Sequence, residues 1–222
     1  ERFQGQGYDT FIRTSPAFST LGWFDDPLLS HLLKYDKVTL AEVIFHELLH
    51  NTFFVKGVVD FNESLANFVG NRAAILFFRD RQGEGSPEHR RAVQAWEEEL
   101  EFSRFITQLA SSLKGLYGKE LAQEEKLRLR GEIFSRGQEE WARRIADRPA
   151  HQYRGLGRQQ LNNAVIAHYL LYLKEMVLFE SLFESQGKDL ARSVKSIVGA
   201  VEDSRDPFES VRDFLRKNQT PH

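Results

Sequence analysis

The 222-residue sequence predicts a mainly α-helical fold of the α+β class, with a small strand portion near the N-terminus. Between residues 102 and 116, apolar side chains recur at gaps of three or four, which is the spacing of one helix face. Residues 2–21 instead mix glycine with short β-prone runs such as residues 8–13. With 41% hydrophobic and 28% charged residues, the composition is that of a globular domain with a sizeable core.

The N-terminal portion is expected to change from extended to helical within residues 19–33, STLGWFDDPLLSHLL. One or two strands are predicted before this change. Asp26 is placed as the N-cap of a helix, with Pro27 at the first helical position, where a missing N–H is tolerated. Asp25 precedes this cap and has the position of a turn aspartate.

The next predicted helix carries the residues with the clearest chemistry. Thr39 and Glu42 have the spacing of a capping box, and Lys56 with Gly57 marks a helix end. A helix is therefore predicted from about residue 40 to residue 55.

Inside that helix, His46 and His50 stand four residues apart with Glu47 between them, in the order H-E-x-x-H. Their imidazoles leave one face about one turn apart and can share a tetrahedral metal. In this motif the histidines bind zinc and the glutamate is the general base toward a water on the metal. Most other positions are apolar, so burying these polar groups without a metal or partners would cost several kcal/mol. The alternative is a buried helix that carries the three residues by chance.

A catalytic zinc needs a third protein ligand and an open fourth position. Glu63 is the best candidate, because it lies in the first turn of the next predicted helix, which starts at Asp60 or Phe61 and runs to about Arg79. Asn67 shares a face with Glu63 and is predicted to hydrogen-bond a ligating histidine. The alternative for Glu63 is a first-turn glutamate favoured by the helix dipole, or a cap partner of Asp60.

A long helical hairpin is predicted over residues 87–148. Residues 79–88, RDRQGEGSPE, have the composition of an exposed loop, and Ser86 with Pro87 at its end starts a helix that runs to Leu116. A second helix is predicted from Lys119 to about Arg148. The short turn at Gly118 makes the two helices antiparallel. Their charged outer faces are interpreted as solvated surface, with partner binding as the alternative.

A third long helix is predicted from Gln159 to about Ser185, and its apolar character places it centrally. His168 and Tyr172 lie one turn apart on it, where they either face the metal or find polar partners in the core. Shorter helices are predicted at residues 188–200 and 208–216.

Charge and composition exclude several classes of function. A net charge of −2 and a pI near 6.4 give no electrostatic footprint for nucleic acid. The chain has no cysteine, so a metal would rest on nitrogen and oxygen ligands. No apolar run reaches the ~18 residues of a membrane span, so none is predicted.

At several motifs the sequence resembles the predicted aminopeptidases of bacteria, a family of zinc peptidases related in motif to the gluzincins. The similarity extends over most of the chain. Its segments are GYDTF (7–11), STLGWFDDPLLS (19–30), IFHELLHNTFFVKGVVDFNESLANFVG (44–70), LKGLYG (113–118) and LNNAVIAHYLLYLKEMVLFESLF (161–183).

The resemblance implies that His46, His50 and Glu63 bind Zn²⁺ and that Glu47 is catalytic. The sequence differs from better known gluzincins in having a shorter gap between His50 and Glu63, which implies a shorter connection between the two ligand-bearing helices. Asp25 then gains a second interpretation, as the carboxylate that anchors the amino group of a peptide substrate. Family members usually carry an export or lipoprotein signal upstream, so the resemblance implies a longer, periplasmic protein of the bacterial cell envelope.

In related zinc peptidases a tyrosine or histidine from a later helix stabilises the oxyanion. Tyr172 is the favoured candidate, because Tyr153 lies in a glycine-rich loop and Tyr169 is rotated by about 100° from His168. His168 is the alternative, since it shares the face of Tyr172.

The sequence therefore predicts a zinc-dependent peptidase, most simply an aminopeptidase acting on peptide substrates. The whole chain is expected to be one catalytic domain, with a zinc-site portion (1–80), the hairpin (87–148) and a helical portion closing the cleft (158–217). Two alternatives stay open: an inactive scaffold in which zinc staples two helices, and a zinc endopeptidase.

Overall fold

The computed structural model describes residues 2–13, 30–202 and 204–219. Eight α-helices make up most of this part of the chain. They are α1 (Lys37–Thr52), α2 (Val59–Gln82), α3 (Pro87–Tyr117), α4 (Gln123–Arg144), α5 (Asn163–Leu173), α6 (Met176–Ser185), α7 (Leu190–Val201) and α8 (Pro207–Gln219). Short 3₁₀ turns occupy Gln4–Gln6, Ser30–Lys34 and Arg154–Arg158. None of the described helices combines the length and the apolar character needed to cross a bilayer.

The predicted α+β class is wrong, because no strand occurs within the described ranges. The β-prone residues 8–13 have no regular secondary structure and are held by hydrogen bonds that involve side chains instead of by a partner strand. Asp9 Oδ2 accepts hydrogen bonds from the Asn163 backbone N–H (3.0 Å) and from Arg130 Nη1 (3.1 Å). The Thr10 carbonyl oxygen accepts from Asn162 Nδ2 at 3.0 Å. The mainly helical part of the prediction is correct.

The described residues fall into two compact units. The first comprises Glu1–Arg13 and Glu98–Leu170, and the second comprises Thr14–Glu97 and Leu171–His222. Helices α3 and α5 contribute residues to both units. The expectation of a single catalytic domain stays a prediction.

The first unit contains residues 98–148 of the predicted antiparallel hairpin. Phe105 packs against Trp141 with ring centroids 4.9 Å apart, and Leu109 lies against Gly137. In these two contacts the residue number rises along α3 while it falls along α4, which confirms that the two helices are antiparallel. The second helix is shorter than predicted, at Gln123–Arg144.

The second unit is built around α2, whose Phe61 and Phe68 are fully buried. Phe61 packs edge-on against Phe179 of α6 (5.8 Å) and Phe208 of α8 (5.1 Å). Phe68 lies 5.7 Å from Phe179. These aromatic contacts fix α2 as the central element of the unit.

Helix α1 starts and ends three residues earlier than predicted. Asp36, not Thr39, is the N-cap, and its carboxylate accepts hydrogen bonds from the N–H groups of Val38 (3.0 Å) and Thr39 (3.2 Å). The helix ends at Thr52, before the predicted stop at Gly57. The capping-box interpretation was wrong because aspartate at 36 offers a stronger acceptor one turn earlier.

The predicted third helix over residues 159–185 is two helices. Glu175, between α5 and α6, has φ of 57°, a left-handed conformation that interrupts the helix. Its carboxylate pairs with Arg212 Nη1 of α8 at 2.9 Å. No glycine or proline marks the position, so the break comes from tertiary contacts and not from a local signal.

Candidate metal centre

The connection between α1 and α2 is held by one buried side chain. Asn62 Oδ1 accepts a hydrogen bond from the Val55 N–H at 2.8 Å, and Asn62 Nδ2 donates to the Val55 carbonyl oxygen at 2.7 Å. This double hydrogen bond ties the loop after α1 to the first turn of α2. It therefore fixes the place of His50, near the end of α1, relative to Glu63, which directly follows Asn62.

The two helices also approach closely at Gly70 of α2. A Cβ atom at this position would meet the Glu42 carbonyl oxygen at 2.7 Å and the His46 Cβ at 3.4 Å. Only glycine leaves the backbone of α2 free to lie this near α1. The close crossing brings the face of α1 that carries the histidines onto α2.

Three potential ligands converge where these helices meet. His46 Nε2 lies 3.2 Å from His50 Nε2 and 3.4 Å from Glu63 Oε2. His50 Nε2 lies 3.7 Å from Glu63 Oε1. A tetrahedral zinc with ligands at about 2.1 Å would set ligand atoms about 3.4 Å apart, so these separations match the edges of such a site. The trio forms a group that could hold a metal ion.

The charge of Glu63 is favoured by its neighbours. Burial alone would raise the pKa of this carboxyl, but hydrogen bonds and charge interactions with His46 and His50 outweigh burial and lower the pKa to about 2. An ionised carboxylate beside two imidazole nitrogens is the donor set that Zn²⁺ prefers among nitrogen and oxygen ligands. His50 is buried, and its Nδ1 has no hydrogen-bond partner among the described residues.

Three further predicted residues of the second unit are described: Glu47 on α1, Asn67 on α2 and Tyr172 at the end of α5. Glu47 follows His46 on α1 and is half-buried. The Tyr172 ring lies 6.3 Å from the His46 ring, measured between centroids. Asn67 Nδ2 donates to the Tyr172 carbonyl oxygen at 3.3 Å. Asn67 was predicted to support a ligating histidine, and that role stays a prediction.

The other tyrosine and histidine candidates belong to the first unit. His168 packs against Phe11 with ring centroids 5.1 Å apart, and burial, assisted by Arg13, lowers the pKa of its imidazole. Tyr169 donates its hydroxyl to Gln159 Oε1 at 3.1 Å.

Tyr153, also in the first unit, donates its hydroxyl to Glu99 Oε2 at 3.0 Å. Asp25, the predicted amine anchor, lies outside the described residues.

The sequence analysis did not identify Asn62 and Gly70, which hold α1 and α2 together without chemistry of their own. A glycine in the middle of a predicted helix costs about 1 kcal/mol relative to alanine, and that cost is a usable signal of close packing at Gly70. Asn62 gave no such signal, because asparagine is common near helix starts.

Comparison with known proteins gave one family. A family model described as "Putative aminopeptidase" matches residues 1–206. No curated protein and no solved structure matches the chain.

Proposed function

The chain belongs to the family described as "Putative aminopeptidase", and from this membership we propose that it is a zinc-dependent aminopeptidase whose metal is held by His46, His50 and Glu63. The observation that carries the proposal is the convergence of two Nε2 atoms and a carboxylate within 3.2–3.7 Å of one another. The H-E-x-x-H order places Glu47 beside these ligands.

Bound zinc supplies a Lewis acid that polarises the substrate carbonyl and lowers the pKa of water to about 7. Glu47 acts as the general base: it takes a proton from the attacking water and passes it to the leaving nitrogen as the peptide bond breaks. A glutamate in this position would have no use in a purely structural zinc site. Its presence therefore supports an enzyme over a scaffold.

Tyr172 is the proposed donor to the oxyanion that forms when water adds to the carbonyl carbon. Its ring lies beside His46, in the same unit as the metal ligands. In the first unit, Tyr169 donates its hydroxyl group to Gln159 and Tyr153 donates its hydroxyl group to Glu99.

A peptide screen tests the proposal. Peptide libraries with free N-termini and matched libraries with acetylated N-termini are incubated with the zinc-loaded protein, and the products are identified by mass spectrometry. An aminopeptidase releases single N-terminal residues from the free peptides only. Internal cleavage of both libraries would indicate an endopeptidase. Product formation by Glu47→Gln at the wild-type rate would show that the activity comes from elsewhere.

A further inference from the structure

The junction between α5 and α6 is held by side chains of α2. Helix α5 ends at Leu173, and the last carbonyl groups of a helix have no donor within the helix itself. Ser64 Oγ donates to the Leu171 carbonyl oxygen at 3.3 Å and accepts from the Lys174 N–H at 3.1 Å. One hydroxyl group thus bonds to the backbone at both sides of Tyr172.

A second residue of α2 reaches the carbonyl between these two contacts. Asn67 Nδ2 donates to the Tyr172 carbonyl oxygen at 3.3 Å. The backbone around Tyr172 is therefore attached to α2 at three points. Helix α2 also carries Glu63, which directly precedes Ser64.

The Ser64 hydroxyl is completely buried, at 0% exposure. A hydroxyl group in such a place is unfavourable unless it is hydrogen-bonded, and serine is a weaker helix former than alanine. Packing alone would be satisfied by alanine. The contacts to Leu171 and Lys174 give the reason for the hydroxyl group.

Building on the proposed function, we infer that Ser64 is a positioning residue. Its hydroxyl fixes the end of α5 to the helix that carries Glu63, and thereby sets the place of the Tyr172 phenol beside His46. Tyr172 lies in the last turn of α5, where backbone carbonyl groups have no donor within the helix, and side chains of α2 supply such donors. Glu63 and Ser64 are adjacent on α2, so the helix that carries the proposed metal ligand also holds the backbone next to Tyr172.

The placement can be measured without any activity. Protein labelled with 3-fluorotyrosine contains six tyrosines, and the ¹⁹F resonance of Tyr172 is assigned by its loss in Tyr172→Phe. In zinc-free Ser64→Ala this resonance is expected to shift or broaden. Ser193→Ala is the matched control, because Ser193 is equally buried, lies in the same unit and donates to the Asp189 carbonyl oxygen at 2.6 Å. An unchanged Tyr172 resonance in Ser64→Ala overturns the inference.

A double-mutant cycle then tests whether Ser64 acts through Tyr172. Turnover is measured on the aminoacyl-7-amido-4-methylcoumarin that the wild type hydrolyses fastest, with zinc content determined for each variant. Ser64→Ala is expected to lower kcat about tenfold with KM within about twofold, and to cause no further loss in Tyr172→Phe. An equal loss in both backgrounds overturns the inference, because Ser64 would then act independently of the tyrosine.

The two arms separate this inference from the proposed function. If the ¹⁹F resonance moves but Tyr172→Phe keeps full kcat, the oxyanion role of Tyr172 fails while its placement by Ser64 stands. Should Ser64→Ala not fold, Ser64→Cys carries the same tests, because a thiol keeps the volume and is a weak hydrogen-bond donor.

Discussion

Gly70 lies so close to Glu42 that a Cβ on the glycine would sit 2.7 Å from the Glu42 carbonyl oxygen. The obstacle is backbone, so it cannot rotate away as a flexible side chain would. Gly70→Ala is therefore expected to push α2 away from α1, to destabilise the protein by about 1–3 kcal/mol and to lower its zinc content. Denaturant unfolding and elemental analysis measure the two effects.

Gly199→Ala is the control for this substitution. Gly199 lies within α7 of the same unit, and a Cβ there meets nothing within 4 Å. This control should stabilise the protein by up to about 1 kcal/mol, because alanine is the better helix former. Equal zinc and equal stability in both variants would contradict the close crossing.

The proposed metal ligands can be tested by measuring the zinc content of the purified protein, without an activity assay. The purified protein is expected to carry about one zinc per chain. His50→Ala and Glu63→Ala should each lose most of it, because three protein ligands cannot be reduced to two without a large loss of affinity. His89→Ala removes a histidine outside the cluster and should keep the metal. Wild-type zinc content in His50→Ala would remove the proposed site.

Glu47→Gln separates metal binding from chemistry. The amide keeps the shape of the side chain but cannot accept the proton of the attacking water. Zinc content should be unchanged, while turnover falls by roughly 10²–10⁴. Retention of wild-type turnover would transfer the role of base to another residue.

Tyr172→Phe should leave zinc content and folding unchanged and lower kcat by about a hundredfold or more, as the loss of one oxyanion donor does. Tyr169→Phe is the comparison. Tyr169 lies three residues before Tyr172 in the sequence, and the substitution deletes a hydroxyl group that is hydrogen-bonded to Gln159. If Tyr169→Phe or His168→Ala gives the large loss while Tyr172→Phe changes kcat less than twofold, the role moves to that residue.

The cap of the histidine-bearing helix gives a pH-dependent test. Burial acts to raise the pKa of Asp36, but hydrogen bonds from the Thr39 hydroxyl and from the N–H groups of Thr39 and Val38 outweigh it and lower the pKa. The carboxylate therefore contributes stability that is present above the unfolded pKa of about 3.9 and is lost as pH falls through the lower folded pKa.

Asp36→Ala should cost about 1 kcal/mol of unfolding free energy at pH 7. Asp36→Asn keeps a capping oxygen without a titrating group. The stability difference between wild type and Asp36→Asn is expected to shrink as the pH is lowered below about 4. A difference that stays constant through this range would exclude the contribution of the ionised cap. Chemical denaturation at several pH values provides the measurement.

Local patterns predicted much of the helical structure and the close placement of His46 and His50 on α1. The start of α3 at Pro87 was predicted correctly because proline at the first helical position is a local signal. His46 and His50 were brought together by helix periodicity alone. Glu63 required one assumption, a short antiparallel connection between two helices, and the structure shows that connection.

Features that depend on distant contacts were not predictable in this way. The break at Glu175 has no glycine or proline, and it depends on Arg212 from α8 and on Ser64 from α2. Residues 8–13 have strand-like composition, yet Asp9 accepts hydrogen bonds from the Arg130 side chain of α4 and the Asn163 backbone N–H of α5, and no partner strand is present in the described part of the chain. In both places tertiary partners override the local propensity.

The residues joined by the hydrogen bonds between Asn62 and Val55 are seven positions apart in the sequence, whereas Asn67 and Tyr172 are 105 positions apart. Local contacts close quickly during folding, because short loops lose little entropy, and distant ones follow later. Under the proposed function, the α1–α2 pair is therefore expected to bring His46, His50 and Glu63 together while the chain around Tyr172 is still unfolded. Metal loading would then precede catalytic competence, and a nascent chain could bind zinc before it is able to cleave a peptide.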